Sequence, residues 1–204
     1  MDTERIFQIL AIVLLLSGFS ISIYYRRKAN QTDEEIDVKE EGSLILNLRR
    51  VLGLALWFSA FAYLINPAWM AWSQLPLPNW LRLVGAGIML ACVPLIYWVF
   101  SSLGKNVTPT VVTRQEHSLV TEGPYRWVRH PLYTVGFLLL VGLSLLAANW
   151  FIALVLVLGI IPLGMRTPLE EARLVDRFGD DYRVYMQRTG RYLPRLSGLT
   201  PNGS

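Results

Sequence analysis

The chain has 204 residues, of which 53% are apolar and only 17% charged, with seven tryptophans and a formal net charge of +4. This composition indicates a membrane protein before any other class, and no nucleic-acid partner is expected. Cys92 is the only cysteine, which excludes an intramolecular disulfide and a zinc or iron–sulfur site built from thiols. No metal site is expected.

Four stretches contain no Asp, Glu, Lys or Arg, and each reaches the roughly 20 residues that a spanning helix needs. They run from Ile6 to Tyr25, Val51 to Leu81, Leu83 to Gly104 and His130 to Met165. The first stretch is too long for the core of a signal peptide, and its basic cluster follows it instead of preceding it. It is therefore predicted to remain as a spanning helix.

The last uncharged stretch is too long for a single crossing. A helix of about 35 residues would measure roughly 52 Å, whereas the hydrocarbon core is about 30 Å thick. We therefore predict a hairpin of two short helices, with its tip at Ala148, Asn149 and Trp150, because Asn tolerates turns and Trp favours the membrane interface.

Basic residues alternate between the loops. Six lie from Arg26 to Arg50, none from Asn66 to Trp80, four from Lys105 to Arg129, none at the hairpin tip and seven from Arg166 onward. Because cytoplasmic loops retain Lys and Arg, this predicts an outside N-terminus and a cytoplasmic C-terminus. The predicted fold class is all-α, a multi-pass transmembrane bundle of about five spans with a cytoplasmic amphipathic helical tail.

Two regions are expected in this bundle. Residues 1–104 would hold three spans and a charged cytoplasmic loop, and residues 105–204 would form the catalytic half. In the tail, apolar residues recur at helical spacing until Gly179 interrupts them, and Asp180 or Asp181 can cap a second helix. This predicts two short amphipathic helices packed against the cytoplasmic mouth of the bundle.

Both histidines of the chain fall in one loop, HSLVTEGPYRWVRHPLY. Pro131 suits the first position of a helix, so His130 is expected at the cap of the fourth span, beside free backbone amides that attract anions. A purely structural interpretation also fits, in which His130 only caps the helix and Tyr125 and Tyr133 belong to the interfacial aromatic belt.

An acidic pair, Glu170 and Glu171, follows the membrane end of the last span, just after Arg166. Carboxylates so close to hydrocarbon are costly unless they meet cations or ligand donors. The hairpin would return the chain to the side it left, which brings Arg166 and Glu170 near His130. The alternative is a solvated first turn, where acidic residues favour a helix N-terminus.

The loop motif, followed after a helical hairpin by RTPLEEARLVDRFGDDYRVYMQRTGRYLP, resembles the isoprenylcysteine carboxyl methyltransferases and their prokaryotic relatives. The resemblance covers Arg114 to Pro194. It implies a cytoplasmic pocket for S-adenosylmethionine, closed by the tail, and an arginine at Arg166 that binds the substrate carboxylate. The cofactor-binding residues that it implies are His117, Ser118, Leu119, Val120, Tyr125, His130, Pro131, Tyr133 and Glu170.

One position of the family pattern lacks a clear counterpart. A glutamine that the eukaryotic members carry upstream of His117 is not matched, although Thr110 or Gln115 could substitute for it. The resemblance also implies a lipophilic or lipid-modified substrate that enters from the bilayer, contact with membrane lipids, and a location in a prokaryotic inner membrane.

The predicted chemistry depends on the acceptor. A carboxylate is already ionised at neutral pH and needs only a positioning cation, for which Arg166 is the candidate. A phospholipid amine or a small thiol would require a base, with His130 and Glu171 as candidates. The predicted catalytic residues are therefore Arg166 and Glu171.

Two interpretations from other classes remain open at this stage. An NADPH-dependent sterol-type membrane reductase carries a similar His-Pro and acidic pattern, although its motifs differ from RHPLYTVG and LEEARL in this chain. A non-enzymatic membrane assembly subunit would keep the spans without clustering His, Tyr, Arg and Glu at one mouth.

Overall fold

The computed structural model describes residues 3–29, 43–103 and 119–195 and folds them into six α-helices. Two short 3-10 helices, Pro67–Ser73 and Gly123–Arg126, lie between them. Within the described ranges the only β-type pairings are two isolated bridges, so the predicted all-α class is confirmed. The helices are α1 (Thr3–Ala29), α2 (Ser43–Ile65), α3 (Asn79–Leu103), α4 (Pro131–Leu146), α5 (Trp150–Phe178) and α6 (Asp180–Arg188).

Four of these helices, α1, α2, α3 and α5, are long and apolar enough to cross a membrane. The fifth apolar helix, α4, has 16 residues, which at about 1.5 Å each gives roughly 24 Å. The protein is thus a multi-pass membrane protein, and the predicted multi-pass helical bundle is confirmed; of the about five predicted spans, four are helices of spanning length and the fifth is the shorter α4.

The centre of the bundle is the contact between α3 and α4. A Cβ added at Gly85 would lie 2.6 Å from the Gly142 carbonyl oxygen and 2.6 Å from the Leu146 amide nitrogen. The two helices therefore approach so closely because both carry glycine at the crossing, as small residues commonly allow between helices in membranes. Met89 fills the space beside this crossing and is fully buried.

The hairpin between α4 and α5 turns where the sequence predicts. Ala148 adopts a positive φ of 48°, and Asn149 caps α5 by accepting a hydrogen bond from the Ile152 amide at 3.1 Å. The Asn149 side chain also donates to Ser73 Oγ at 2.8 Å. The 3-10 helix Pro67–Ser73, which the sequence did not predict, is thereby attached to the hairpin tip.

An ion pair that the sequence did not predict lies at the same end of the bundle. Arg82, in the first turns of α3, donates to Glu4 of α1 through two nitrogens, at 2.7 and 2.8 Å. Its Nε donates to the Leu146 carbonyl at the end of α4, at 2.8 Å. Its guanidinium lies over the Phe7 ring, 3.9 Å from the centroid, and the Tyr63 hydroxyl donates to Glu4 at 3.2 Å.

We expect Arg82→Met to lower the free energy of unfolding by about 2 kcal/mol, because Glu4 and the Leu146 carbonyl lose their charged donor. Thermal unfolding in detergent measures this, with Arg5→Ala as the control, since Arg5 is exposed on the same turn of α1. The double variant Glu4→Gln, Arg82→Met should recover part of the loss. An unchanged midpoint for Arg82→Met would contradict the prediction.

The tail differs from its prediction in two respects. The prediction that the tail begins with a separate short helix is wrong, because α5 continues without a break through Pro168 to Phe178. Pro168 removes one backbone donor, a loss that a helix packed among its neighbours tolerates. Gly179 does interrupt the chain, with φ of 57°, but neither Asp180 nor Asp181 caps α6; both lie in its first turn, where their charge suits the helix dipole.

Candidate active site

The site is built around the start of α4. His130 is the N-cap residue and Pro131 is the first residue of the helix, as the sequence predicts. The His130 side chain makes no capping bond to the helix and extends instead toward α5, where its Nε2 lies 3.3 Å from Glu171 Oε1. The structural interpretation in which His130 only caps the helix therefore does not describe its contacts.

The segment before α4 pairs with the end of the described chain. The amides of Arg129 and His130 donate to the carbonyls of Gly190 and Arg191, at 2.8 and 3.0 Å, and the Gly190 amide donates to the Trp127 carbonyl at 3.1 Å. A Cβ at Gly190 would overlap the carbonyl of a nearby tail residue, so this position requires glycine. The pairing sets which tail side chains face the site.

Glu171 is the electrostatic centre of this arrangement. Arg129 Nε donates to Oε1 at 2.8 Å, and Arg191 donates to Oε2 at 2.5 Å. The carboxylate side chain is only 4% exposed, so its burial is compensated by two guanidinium groups as well as by His130. The bond to Glu171 in turn raises the pKa of Arg191.

Arg129 also joins the tail to this cluster. Its NH1 donates to the carbonyls of Met186 and Thr189, at 3.1 and 2.5 Å. These two residues lie at and just after the end of α6, where the last carbonyls of a helix have no partner within it. One arginine thus connects α5, α6 and the segment that leads into α4.

Glu170 lies one residue away and faces a second group of partners. Tyr133 Oη donates to Glu170 Oε2 at 2.9 Å, and Arg166 Nε lies 4.0 Å from the same oxygen. Arg166 and Glu170 are one helical turn apart on α5, so they share a face. The prediction that the hairpin brings Arg166 and Glu170 back near His130 is confirmed.

Aromatic rings enclose His130. The Tyr133 ring is nearly parallel to the imidazole, with centroids 5.4 Å apart and an interplanar angle of 8°. Tyr192, from the tail, approaches from another side at 6.0 Å, and its hydroxyl donates to Thr167 Oγ1 at 2.6 Å. Thr167 is fully buried on α5, so this bond attaches the tail to the turn that carries Arg166.

The remaining predicted cofactor residues lie in or just before the 3-10 helix Gly123–Arg126, or outside the described ranges. Tyr125 is buried in the 3-10 helix Gly123–Arg126, and its carbonyl accepts a bond from the Tyr185 hydroxyl at 2.7 Å. Burial raises the pKa of Tyr125 and of Tyr185, so both phenols stay protonated. Val120 packs against the same apolar cluster as Tyr125, and Leu119 is half-buried.

His117, Ser118, Thr110 and Gln115 lie outside the residues that the structure describes. Their predicted contacts with a cofactor therefore stay predictions.

Sequence reasoning assigned no role to four residues that build the site. Arg129, Thr167, Arg191 and Tyr192 all contact the predicted residues or hold them in place. A signal for three of them, Arg129, Arg191 and Tyr192, was available, because the tail motif RTGRYLP repeats the arginine and aromatic content of the loop before α4. The pattern alone could not say which residue of one segment faces which residue of the other.

The resemblance predicted from the two motifs is confirmed by a family comparison. Residues 84–176 match the model described as the Isoprenylcysteine carboxyl methyltransferase (ICMT) family. The match contains α4 and nearly all of α5, and therefore His130, Tyr133, Arg166, Glu170 and Glu171. Nothing in the comparisons supports the sterol-type reductase alternative.

Two curated relatives illustrate the range of similar proteins. The chain is 29% identical over 131 residues to protein-S-isoprenylcysteine O-methyltransferase of Rattus norvegicus, which covers 63% of this chain and 46% of the relative. It is 34% identical over 84 residues to the nickel-cobalt-cadmium resistance protein NccN of Alcaligenes xylosoxydans xylosoxydans, covering 41% and 39%. The chain thus spans less than half the length of these relatives.

A solved structure has a similar fold. The eukaryotic intramembrane Ras methyltransferase ICMT, solved without a monobody, superposes with a TM-score of 0.55 over 94% of this chain and 70% of that chain. The two sequences are 19% identical over the match, so the likeness concerns the fold. It agrees with the predicted multi-pass helical architecture.

Proposed function

We propose that this chain, whose residues 84–176 match the model of the isoprenylcysteine carboxyl methyltransferase family, is a membrane enzyme that methylates a lipophilic carboxylate with S-adenosylmethionine. The acceptor would resemble an isoprenylcysteine and enter from the bilayer. The observation that carries the proposal is the convergence of His130, Tyr133 and Glu170 with Arg166 where α4 begins and the apolar part of α5 ends.

The residues present fit the proposed cofactor. S-adenosylmethionine carries two cationic groups, a sulfonium and an ammonium. It also carries ribose hydroxyls, which can donate hydrogen bonds, and a flat adenine ring. Glu170 offers carboxylate oxygens at the edge of the parallel pair of rings, His130 and Tyr133. Buried Tyr125 and partly buried Leu119 and Val120 would add contacts, together with Pro131, His117 and Ser118.

When bound, the cofactor supplies a methyl group activated by a sulfonium. The chain would then have to hold the acceptor oxygen in line with that methyl group and exclude water. Arg166 is the proposed positioning cation, because a guanidinium can contact both oxygens of a carboxylate. An ionised carboxylate requires no base, so no proton has to be moved in this transfer.

We assign Glu171 a supporting role in place of the base that the sequence suggested. Its two oxygens already accept hydrogen bonds from Arg129 and Arg191, and two guanidinium groups stabilise the ionised form. A carboxylate held in this way is a poor proton acceptor. For a phospholipid amine or small thiol acceptor, His130 is then the remaining candidate base.

The proposed activity is tested first by cofactor binding. Detergent-purified protein should bind S-adenosylmethionine or its demethylated product, S-adenosylhomocysteine, in calorimetry, and NADPH weakly or not at all. Labelled cofactor then measures transfer, starting with a prenylated cysteine analogue and continuing with lipophilic acids, thiols and phospholipid amines. Tight NADPH binding without S-adenosylhomocysteine binding would overturn the proposal.

We further propose that the protein lies in a prokaryotic inner membrane with its N-terminus outside and the active site on the cytoplasmic side. The alternating basic loops support this orientation. Replacing buried Cys92 by Ala leaves a background for single cysteines at two exposed positions, Asn79 and Arg183. An impermeant maleimide should label the Asn79→Cys variant in intact cells and the Arg183→Cys variant only after permeabilisation. Labelling of both from outside would contradict the orientation.

A further inference from the structure

The protonation pattern of His130 follows from its neighbours. Glu171 accepts hydrogen bonds from two guanidinium groups, those of Arg129 and Arg191, and is therefore ionised. An ionised carboxylate can only accept hydrogen bonds. His130 Nε2 lies 3.3 Å from Glu171 Oε1, and this contact is a hydrogen bond when the imidazole carries its proton on Nε2 and donates it.

Two guanidinium groups already pair with Glu171, the carboxylate that faces His130. A protonated ring would be the third cation beside a single carboxylate, next to Arg129 and Arg191. His130 also caps the N-terminus of α4, where the helix dipole disfavours positive charge, and Arg166 of α5 faces the adjoining Glu170. In the neutral ring, a proton on Nε2 leaves Nδ1 as a hydrogen-bond acceptor.

We propose that Glu171 is a positioning residue that holds His130 as the Nε2–H tautomer, so that Nδ1 accepts a hydrogen bond from an N–H or O–H group of the bound cofactor. This inference rests on the proposed function for the identity of the ligand. The N-terminus of α4 alone would be expected to attract an anion, whereas this inference assigns it a hydrogen-bond donor of the ligand. With Glu170 beside Tyr133, the site then presents two acceptors, which suit an ammonium, an adenine amine or ribose hydroxyls.

The stacked geometry supports this assignment. Tyr133 is almost parallel to the imidazole, and Tyr192 contacts it at a steeper angle, so the ring plane is held from two sides. Because the Tyr192 hydroxyl is anchored on buried Thr167, rotation of the imidazole would disturb the tail. The two ring nitrogens lie on different edges, and Nδ1 is therefore directed away from Glu171.

The tautomer can be observed directly, because the chain has only two histidines. The protein labelled with 15N-histidine should give two sets of ring nitrogen signals, one for each histidine. The set that is lost in the His130→Gln variant belongs to His130, and the set that is lost in the His117→Asn variant belongs to His117. Couplings to the two carbon-bound ring hydrogens identify which nitrogen bears the proton. We expect the His130 signals in ligand-free wild-type protein to report a neutral ring with the proton on Nε2. A proton on Nδ1, or on both nitrogens, would overturn the proposal.

The ligand contact is tested by adding S-adenosylhomocysteine to the same wild-type sample. The Nδ1 signal of His130 should shift in the direction of an accepted hydrogen bond, with the same saturation as in calorimetry. Binding without any change at Nδ1 would overturn the ligand contact while leaving the proposed function intact. Failure to bind would overturn the proposed function and the ligand contact together, and the ligand-free spectrum would still decide the tautomer.

A substitution tests the role of Glu171 independently. Glu171→Gln should allow His130 to populate both tautomers and should weaken S-adenosylhomocysteine binding in proportion to the Nε2–H tautomer that is lost, by about twofold when the two tautomers are equally populated. A merely structural role would lower the melting temperature without altering the tautomer. Asp176→Asn, the same acid-to-amide change at an exposed position of α5, serves as the control. If the Gln variant does not fold, the wild-type spectrum still decides the proposal.

Discussion

Glu170→Ala is expected to weaken the binding of S-adenosylhomocysteine by roughly 10- to 150-fold, which corresponds to losing one charge-assisted hydrogen bond of about 1.5 to 3 kcal/mol. Glu170 is the carboxylate that accepts from Tyr133 at 2.9 Å, and Arg166 lies 4.0 Å from the same oxygen. Its removal deprives the ammonium and hydroxyl donors of the ligand of a charged acceptor. Isothermal titration calorimetry of the detergent-purified protein measures the loss.

A second variant at this position separates the negative charge of Glu170 from its role as a hydrogen-bond acceptor. Glu170→Gln keeps an acceptor for the Tyr133 hydroxyl but removes the negative charge, so it should fall between wild type and Ala. Glu122→Ala is the matched control, because Glu122 is exposed before the 3-10 helix Gly123–Arg126 and should bind the ligand as the wild type does. Equal affinities of wild type and Glu170→Ala would remove Glu170 from the cofactor site.

Arg166→Ala should slow methyl transfer to a carboxylate acceptor by roughly 100-fold and leave the affinity for S-adenosylhomocysteine within a few-fold of wild type. A guanidinium contacting both carboxylate oxygens makes charge-assisted bonds worth about 1.5 to 3 kcal/mol each. Because this contact is made to the acceptor, we expect the variant to lower kcat/KM for the acceptor. Single-turnover transfer with a prenylated cysteine analogue and labelled cofactor measures it.

The lysine variant distinguishes a clamp from a simple positive charge. Arg166→Lys should restore only part of the rate, since an ammonium cannot reproduce the planar fork of a guanidinium. Arg183→Ala is the control, because Arg183 is exposed on α6 and pairs only with its neighbour Asp180 at 2.8 Å among the contacts of the described residues. A wild-type rate for Arg166→Ala on the true acceptor would leave Arg166 as a residue that sets topology.

The chemistry of the site was predictable in kind. His130, Tyr133 and Glu170 were expected at one mouth because a helical hairpin must return the chain to the side it left, and the structure brings them together. The residue that each of these side chains contacts was not predictable. Glu171 was expected to act as a base, yet its contacts with Arg129 and with Arg191 of the tail favour a supporting role.

The sequence by itself determined the all-α class, the positions of the spans and the hairpin tip at Asn149. These properties depend on local quantities, namely the length of uncharged stretches and the turn preferences of single residues, and such quantities can be read along the chain. The likeness of the two C-terminal motifs to a methyltransferase family was likewise visible in the residues themselves.

Only the tertiary structure decided which distant residues meet. Arg82 pairs with Glu4 across 78 positions, and Tyr192 reaches Thr167 across 25, and neither pair has a local sequence signal. The continuity of α5 through Pro168 was also decided by packing, because neighbouring helices compensate the donor that proline lacks. The physical reason is common to all three: buried charges and polar groups must be satisfied, but the partner that satisfies them depends on the register in which whole segments pack.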